Sequence, residues 1–296
     1  MAPNIRRPVA AVGLAACLIV GCRAASGEVA QGPLKAAPDG RPLVLTFADE
    51  FTRFDRFRDG TGAWRTTFRD GKADDDYDVR TLRSNKELEL YVDPEVRAHG
   101  ARPEVGPALG LDPFQVGDGM LTITANRAPA DLAARLGGFR YTSGLITTQP
   151  SFAQTYGYFE MRAKLPHGKG VWPAFWLLPR DLSWPPEIDI MESVGDSSRY
   201  YATAHSNFGA KDAGTEIPIA PDVFHVFAVS WDHDKLVWFV DGREVKRLTT
   251  PPDLNKPMYI LANLALGGDW AGAPDASTPF PAHYVIDYIR AYRFAA

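Results

Sequence analysis

Apolar and polar residues alternate along most of this chain with the period of two that marks half-buried β-strands. The pattern predicts strands over residues 43–47, 120–124, 156–165, 224–231, 236–240 and 284–294. In the third of these, Phe159, Met161, Ala163 and Leu165 share one face, while Tyr158, Glu160, Arg162 and Lys164 share the other. Asp241-Gly242 is a favourable hairpin dipeptide after the fifth. The one convincing helical stretch covers 129–136. So many strands with so little helix predict an all-β fold, a jelly-roll sandwich of two antiparallel sheets. No internal repeat or second composition regime breaks the chain, so one domain is expected over residues 42–296.

The N-terminus reads differently. Arg6-Arg7 precede a short apolar run over 9–20, too short for the roughly 20 residues that span a bilayer. Residues 1–22 therefore read as an export signal. Leu18-Ile19-Val20-Gly21-Cys22 resembles a bacterial lipobox, which makes Cys22 the lipidation candidate and the anchor the only membrane contact expected; the plainer reading is cleavage near Ala24-Ala25. Residues 23–41, rich in Ala, Gly and Pro, are expected to be a flexible linker.

Composition narrows the function classes. The net charge of −4 and the absence of any basic run longer than Arg6-Arg7 argue against a nucleic-acid partner. Both cysteines, Cys17 and Cys22, lie in or beside the leader, so stability must come from the core. Six scattered histidines offer no zinc spacing, and no catalytic cofactor is expected. A monomer is the default.

The chemistry concentrates in Pro185-Pro186-Glu187-Ile188-Asp189-Ile190-Met191-Glu192. On a strand Glu187 and Asp189 share a face, with Ile188 and Ile190 opposite. Regular alternation would bury Glu192 among the isoleucines, where an unpaired carboxylate is costly. A β-bulge at Met191 returns it to the face of the other two. Three carboxylates on one face raise at least one proton affinity, a cost a glycosidase uses. The outer pair is then expected at roughly 5–6 Å, the separation of a retaining enzyme. The bland alternative is a calcium-binding or merely solvated acidic strand. Trp172, Trp176 and Trp184 crowd this segment, and Trp270 follows Gly267-Gly268; flat aromatic rings suit the C–H faces of sugars. Trp64, Trp231 and Trp238 are left to the core or unassigned.

The carboxylate segment resembles the E-[IL]-D-x-x-E signature of glycoside hydrolase family 16, in its bulged form. Further segments are similar in order along the chain: Phe47-Ala48-Asp49-Glu50-Phe51, Ser84-Asn85-Lys86-Glu87-Leu88-Glu89-Leu90-Tyr91, Tyr156-Gly157-Tyr158-Phe159-Glu160-Met161-Arg162, Trp172-Pro173-Ala174-Phe175-Trp176, and Ile286-Asp287-Tyr288-Ile289-Arg290. Leu109-Gly110-Leu111-Asp112-Pro113-Phe114 looks most like bacterial endoglycanases that trim exopolysaccharides. The resemblance implies Glu187 as nucleophile, Glu192 as general acid/base and Asp189 as the partner tuning the nucleophile. It implies sugar contacts from Asn85, Arg140, His205 and Asn263, with His205 near the acid/base. It also implies a structural calcium at Asp287, with Glu50 nearby. The expected activity is retaining endo-hydrolysis of a β-1,3 and/or β-1,4 polysaccharide. A transglycosylase using the same site and a non-catalytic carbohydrate-binding jelly roll are the competing readings.

Overall fold

The computed structural model describes residues 32–69, 75–99, 106–208 and 214–295. Cys22, the export leader and the first part of the expected linker lie outside the described residues. Among the described residues, ten strands form one sheet and six form another. Their facing sides enclose the main core, which includes Phe159, Met161, Ala163 and Leu165, the face the alternation assigns to the interior. Trp64, Trp231 and Trp238 are fully buried in it.

The expected strands form over Leu43–Asp49, Met120–Arg127, Gly157–Lys164, His225–Trp231, Lys235–Val240 and Ala282–Phe294. Asp241 and Gly242 both take positive φ, 50° and 73°, as a tight hairpin turn requires. Three expectations need correction. Residues 130–138 form consecutive turns and not a helix; Gly137 and Gly138, both left-handed, end the stretch before a helix can propagate. One strand pair, Glu89–Tyr91 with Tyr141–Ser143, is parallel, so the sheets are not purely antiparallel. Residues 34–41, assigned to the flexible linker, touch the domain at a few points while most of the segment is exposed. Ala37 is buried, Leu34 donates its N–H to the Tyr292 hydroxyl at 3.1 Å, and Arg41 pairs with Asp232 at 2.7 Å. Sparse apolar periodicity concealed this, because the segment is held by polar contacts at its ends.

The six-stranded sheet orders Thr215–Pro218, Arg199–His205, Glu187–Glu192, Val171–Pro179, Met258–Leu266 and Leu145–Thr147 side by side. Its outer face carries the candidate site.

Candidate active site

The carboxylate strand is irregular where the parity conflict demands it. Trp176 stands opposite Asp189, but Phe175 stands opposite Met191, so Ile190 is the extra residue. The strand slips by one against its other neighbour too, where Tyr201 faces Glu192 and Thr203 faces Asp189. Ile188, Ile190 and Met191 are all buried in the core. Burying both Ile190 and Met191 returns Glu192 to the outer face. Beside the bulge the Asp189 carbonyl accepts the indole N–H of Trp238 at 2.9 Å. A fully buried ring from the opposite sheet thus pins the strand.

Glu187 and Glu192 line a cleft of about 750 Å³ with Asn85, Glu87, Trp172, Trp176, Trp184, Thr203, His205, Asn263 and Trp270. Alternation along Val171–Pro179 accounts for two tryptophans: Trp172, Ala174, Trp176 and Leu178 face the cleft, whereas Val171, Phe175 and Leu177 enter the core. Trp184 is 66% exposed, which rules out core packing. Its Nε1 donates to Glu187 Oε2 at 2.5 Å. Trp172 Nε1 donates to Glu192 Oε1 at 3.1 Å. Each outer carboxylate therefore has an indole donor of its own.

Trp270 stands edge-on to Trp172, centroids 5.3 Å apart, and 4.9 Å from Tyr201. Gly268 makes that approach possible. At φ +82° it would carry a Cβ 2.9 Å from the Asn85 carbonyl oxygen and 3.1 Å from the Trp172 ring.

The carboxyls sit on the cleft floor, reachable from outside yet surrounded by protein. Loss of solvation is the main cause that lifts Glu192 to about 8, and the Glu187 charge adds to it, against the opposing pull of the Trp172 donor. Glu187 is also pushed well above the usual range, first by burial and then by Asp189. His205 and the Trp184 N–H pull the other way. Two carboxyls in hydrogen-bond contact share a single proton, so the pair titrates as a unit. The Trp184 N–H and His205 oppose that rise and favour a carboxylate at Glu187. The floor can then present one protonated acid and one carboxylate at neutral pH.

His205 differs from its expected place. It pairs in register with Glu187, and its Nε2 stands 3.1 Å from Asp189 Oδ2, so it lies at the Glu187–Asp189 end of the strand rather than at Glu192. Two strand steps, not sequence proximity, decide this. Arg140 is exposed and does not line the cleft; it precedes Tyr141–Ser143, a strand at the margin of the other sheet. Tyr201, Glu87 and Tyr91 were not singled out from the sequence. The i, i+2, i+4 spacing of Glu87, Glu89 and Tyr91 was the signal for the last two.

Asp287 is engaged by Arg162 at 2.5 Å, and Glu50 takes two guanidinium nitrogens of Arg290 at 2.7 and 2.8 Å. Both carboxylates are already charge-compensated and neither leaves an orphaned buried oxygen, so these two do not by themselves fit a calcium site. Among the described residues, Glu187, Asp189 and His205 have potential ligand atoms within 4.8 Å of one another. A smaller hollow near His225, Asp241 and Arg243 lies apart from these groups. Both His225 ring nitrogens are engaged there, by Asp241 at 2.6 Å and by the Ala220 carbonyl at 2.9 Å.

A profile of Glycosyl hydrolases family 16 matches residues 108–290. The chain belongs to this family. Relatives agree with it. Endo-1,3-1,4-beta-glycanase ExsH of Rhizobium meliloti strain 1021 is 42% identical over 267 residues, covering 87% of this chain and 53% of that protein. Endo-1,3-1,4-beta-glycanase EglC of the same organism is 40% identical, covering 88% and 54%. The chain thus spans about half the length of these two family 16 relatives. Among solved structures, the endo-beta-1,3-glucanase of Pyrococcus furiosus aligns with a TM-score of 0.71 at 32% identity, over 90% of this chain and 100% of that one.

Proposed function

We propose that this family 16 chain is a retaining endo-β-glycanase that hydrolyses internal β-1,3 or β-1,4 bonds of a glucan or exopolysaccharide. One observation carries the reading: Glu192, raised to about 8, shares the floor of an aromatic cleft with Glu187. In the first step Glu187 attacks the anomeric carbon while Glu192 protonates the departing glycosidic oxygen. Asp189, hydrogen-bonded to Glu187, tunes the proton affinity of the nucleophile. In the second step Glu192, now ionised, deprotonates water, which displaces Glu187 and restores the original anomeric configuration. Trp172, Trp176, Trp184 and Trp270 offer ring faces to successive sugars, and Asn85 and Asn263 offer amides. The endo mode and the linkages rest on the relatives, whose names give endo-1,3-1,4 and endo-1,3 action.

The cleft also selects by charge. Among the described residues its lining includes Glu87, Glu187 and Glu192 but no Lys or Arg. A neutral stretch of polymer fits there, and an anionic substituent on the sugars at the bond to be cut would be repelled. Incubation with laminarin, lichenan, agarose and a succinoglycan-type polymer tests the reading. Reducing ends should appear from the first two at least, with oligosaccharides as early products. Release of single sugars from chain ends, or no cleavage of any β-glucan, would refute it.

Export and anchoring through Cys22 belong to the same proposal and rest on the lipobox-like stretch at 18–22. Cys22→Ser should move the protein from the membrane fraction to the soluble fraction of its host; an unchanged distribution excludes the lipid anchor.

A further inference from the structure

A second carboxyl pair stands in the wall of the cleft. Glu87, Glu89 and Tyr91 point one way from their segment, with Leu88 and Leu90 between them. Glu87 is 8% exposed and lines the cleft, while Glu89 behind it is completely buried. Burial raises the proton affinity of both, more strongly for Glu89, and the two side chains are hydrogen-bonded to each other. The stronger hold on the proton is at Glu89. Its Oε2 meanwhile accepts the Leu266 N–H at 2.7 Å.

With that proton supplied from behind, Glu87 acts as a pure acceptor. Its Oε1 accepts from Asn85 Nδ2 at 3.1 Å; its Oε2 accepts from the Tyr91 hydroxyl and the Leu82 N–H, both at 3.3 Å. The Tyr91 oxygen in turn accepts from Asn263 Nδ2 at 2.9 Å, and Asn263 Oδ1 accepts from Trp176 Nε1 at 2.7 Å. This chain of donors settles which way both amides face. Asn263 spends its oxygen and one N–H on protein, leaving one N–H for a ligand. Asn85 keeps its carbonyl and one N–H.

We propose that Glu87, backed by Glu89, is a positioning residue that fixes the amides of Asn85 and Asn263 for the hydroxyls of the sugar bound beside Trp176. The inference rests on the cleft being the glycan site proposed above. An acceptor-only group is needed at this point. A neutral amide there would turn its NH2 group either toward the Asn85 donor or toward the donors of Tyr91 and Leu82, and lose that side's hydrogen bonding. The purely structural alternative is that the pair only ties residues 82–88 to Met258–Leu266.

Steady-state kinetics on a mixed β-1,3/1,4 gluco-tetrasaccharide separates the two. Glu87→Gln should raise KM about tenfold, the scale of a misdirected charge-assisted hydrogen bond, with a smaller fall in kcat. Asn85→Ala should also raise KM, and the double variant should be little worse than the poorer single one, because Glu87 acts through Asn85. Tyr91→Phe, which keeps the ring but cuts the link to Asn263, should raise KM as well and covers the case in which Glu87→Gln fails to fold. Effects of Glu87→Gln and Asn85→Ala that simply multiply, or lowered Tm with unchanged KM in Glu87→Gln and Tyr91→Phe, would overturn the positioning role. A wild type that cleaves no gluco-oligosaccharide overturns the functional reading, and this inference with it.

Discussion

Glu187→Gln and Glu192→Gln should each lower kcat on a polysaccharide by at least about 10³-fold, within the span expected when a proton-transferring or covalent group is removed. The two losses should differ in kind. In the proposed mechanism Glu192 donates to the leaving oxygen, so its replacement should matter less when the leaving group is an activated phenol that departs without a proton. Adding azide, a nucleophile that needs no general base, should recover turnover further. Glu187→Gln has no such remedy, because no carboxylate remains to form the ester. The wild-type kcat/KM should fall on an alkaline limb near the raised Glu192 value of about 8, since above it the acid is lost. A Glu187→Gln enzyme with more than a few per cent of wild-type turnover would overturn the assignment.

The same substitution at Glu192 should stabilise the fold. Its carboxyl ordinarily titrates near 4.5 and is raised to about 8 here. Between those values the folded protein keeps a proton that the unfolded chain releases. The unfolded state therefore binds fewer protons, and stability falls as pH rises from about 4.5 to about 8, then levels. At pH 7 the wild type forgoes on the order of 3 kcal/mol. Glu192→Gln, which is neutral throughout and can still accept the Trp172 N–H, should melt roughly 5–10 °C higher at pH 7. The gap should close toward pH 4.5. Thermal melts across that range check it, and a gap that stays constant or widens at low pH would show that Glu192 is not held protonated.

Such a stability cost is what the proposed function would require of this site. Desolvation and the neighbouring Glu187 charge both oppose ionisation of Glu192, whereas a fold selected for stability alone would place a neutral group there. The indole donors of Trp172 and Trp184 recover part of the cost while keeping the carboxyls aimed into the cleft. Trp238 serves from beneath, through the Asp189 carbonyl.

Much of this was readable from the chain. Period-two alternation placed six strands, because burial of one sheet face imposes that period directly. The parity conflict at Glu192 called for a bulge, and one is found; the extra residue is Ile190, with Met191 beside it in the core. The three carboxylates and two of the cleft tryptophans, Trp172 and Trp176, were visible for the same reason: strand geometry fixes which neighbours share a face. Trp184 and Trp270 stood out only by the residues beside them in the chain. Where two elements must meet, the reading failed. His205 could not be assigned to Glu187 over Glu192 without the slipped register between Glu187–Glu192 and Arg199–His205. Arg140 looked equivalent to Asn85 until the fold placed only one of them in the cleft.

The sequence by itself determined the β-sandwich class, the carboxylate trio and the need for a kink beside Met191, since each follows from local periodicity and the cost of burying charge. Only the tertiary structure decided which groups meet: Trp238 under Asp189, Tyr201 against Trp270, and Asn263 against Tyr91. The last of these joins residues 172 positions apart. Register and loop placement, which no short-range pattern encodes, bring them together.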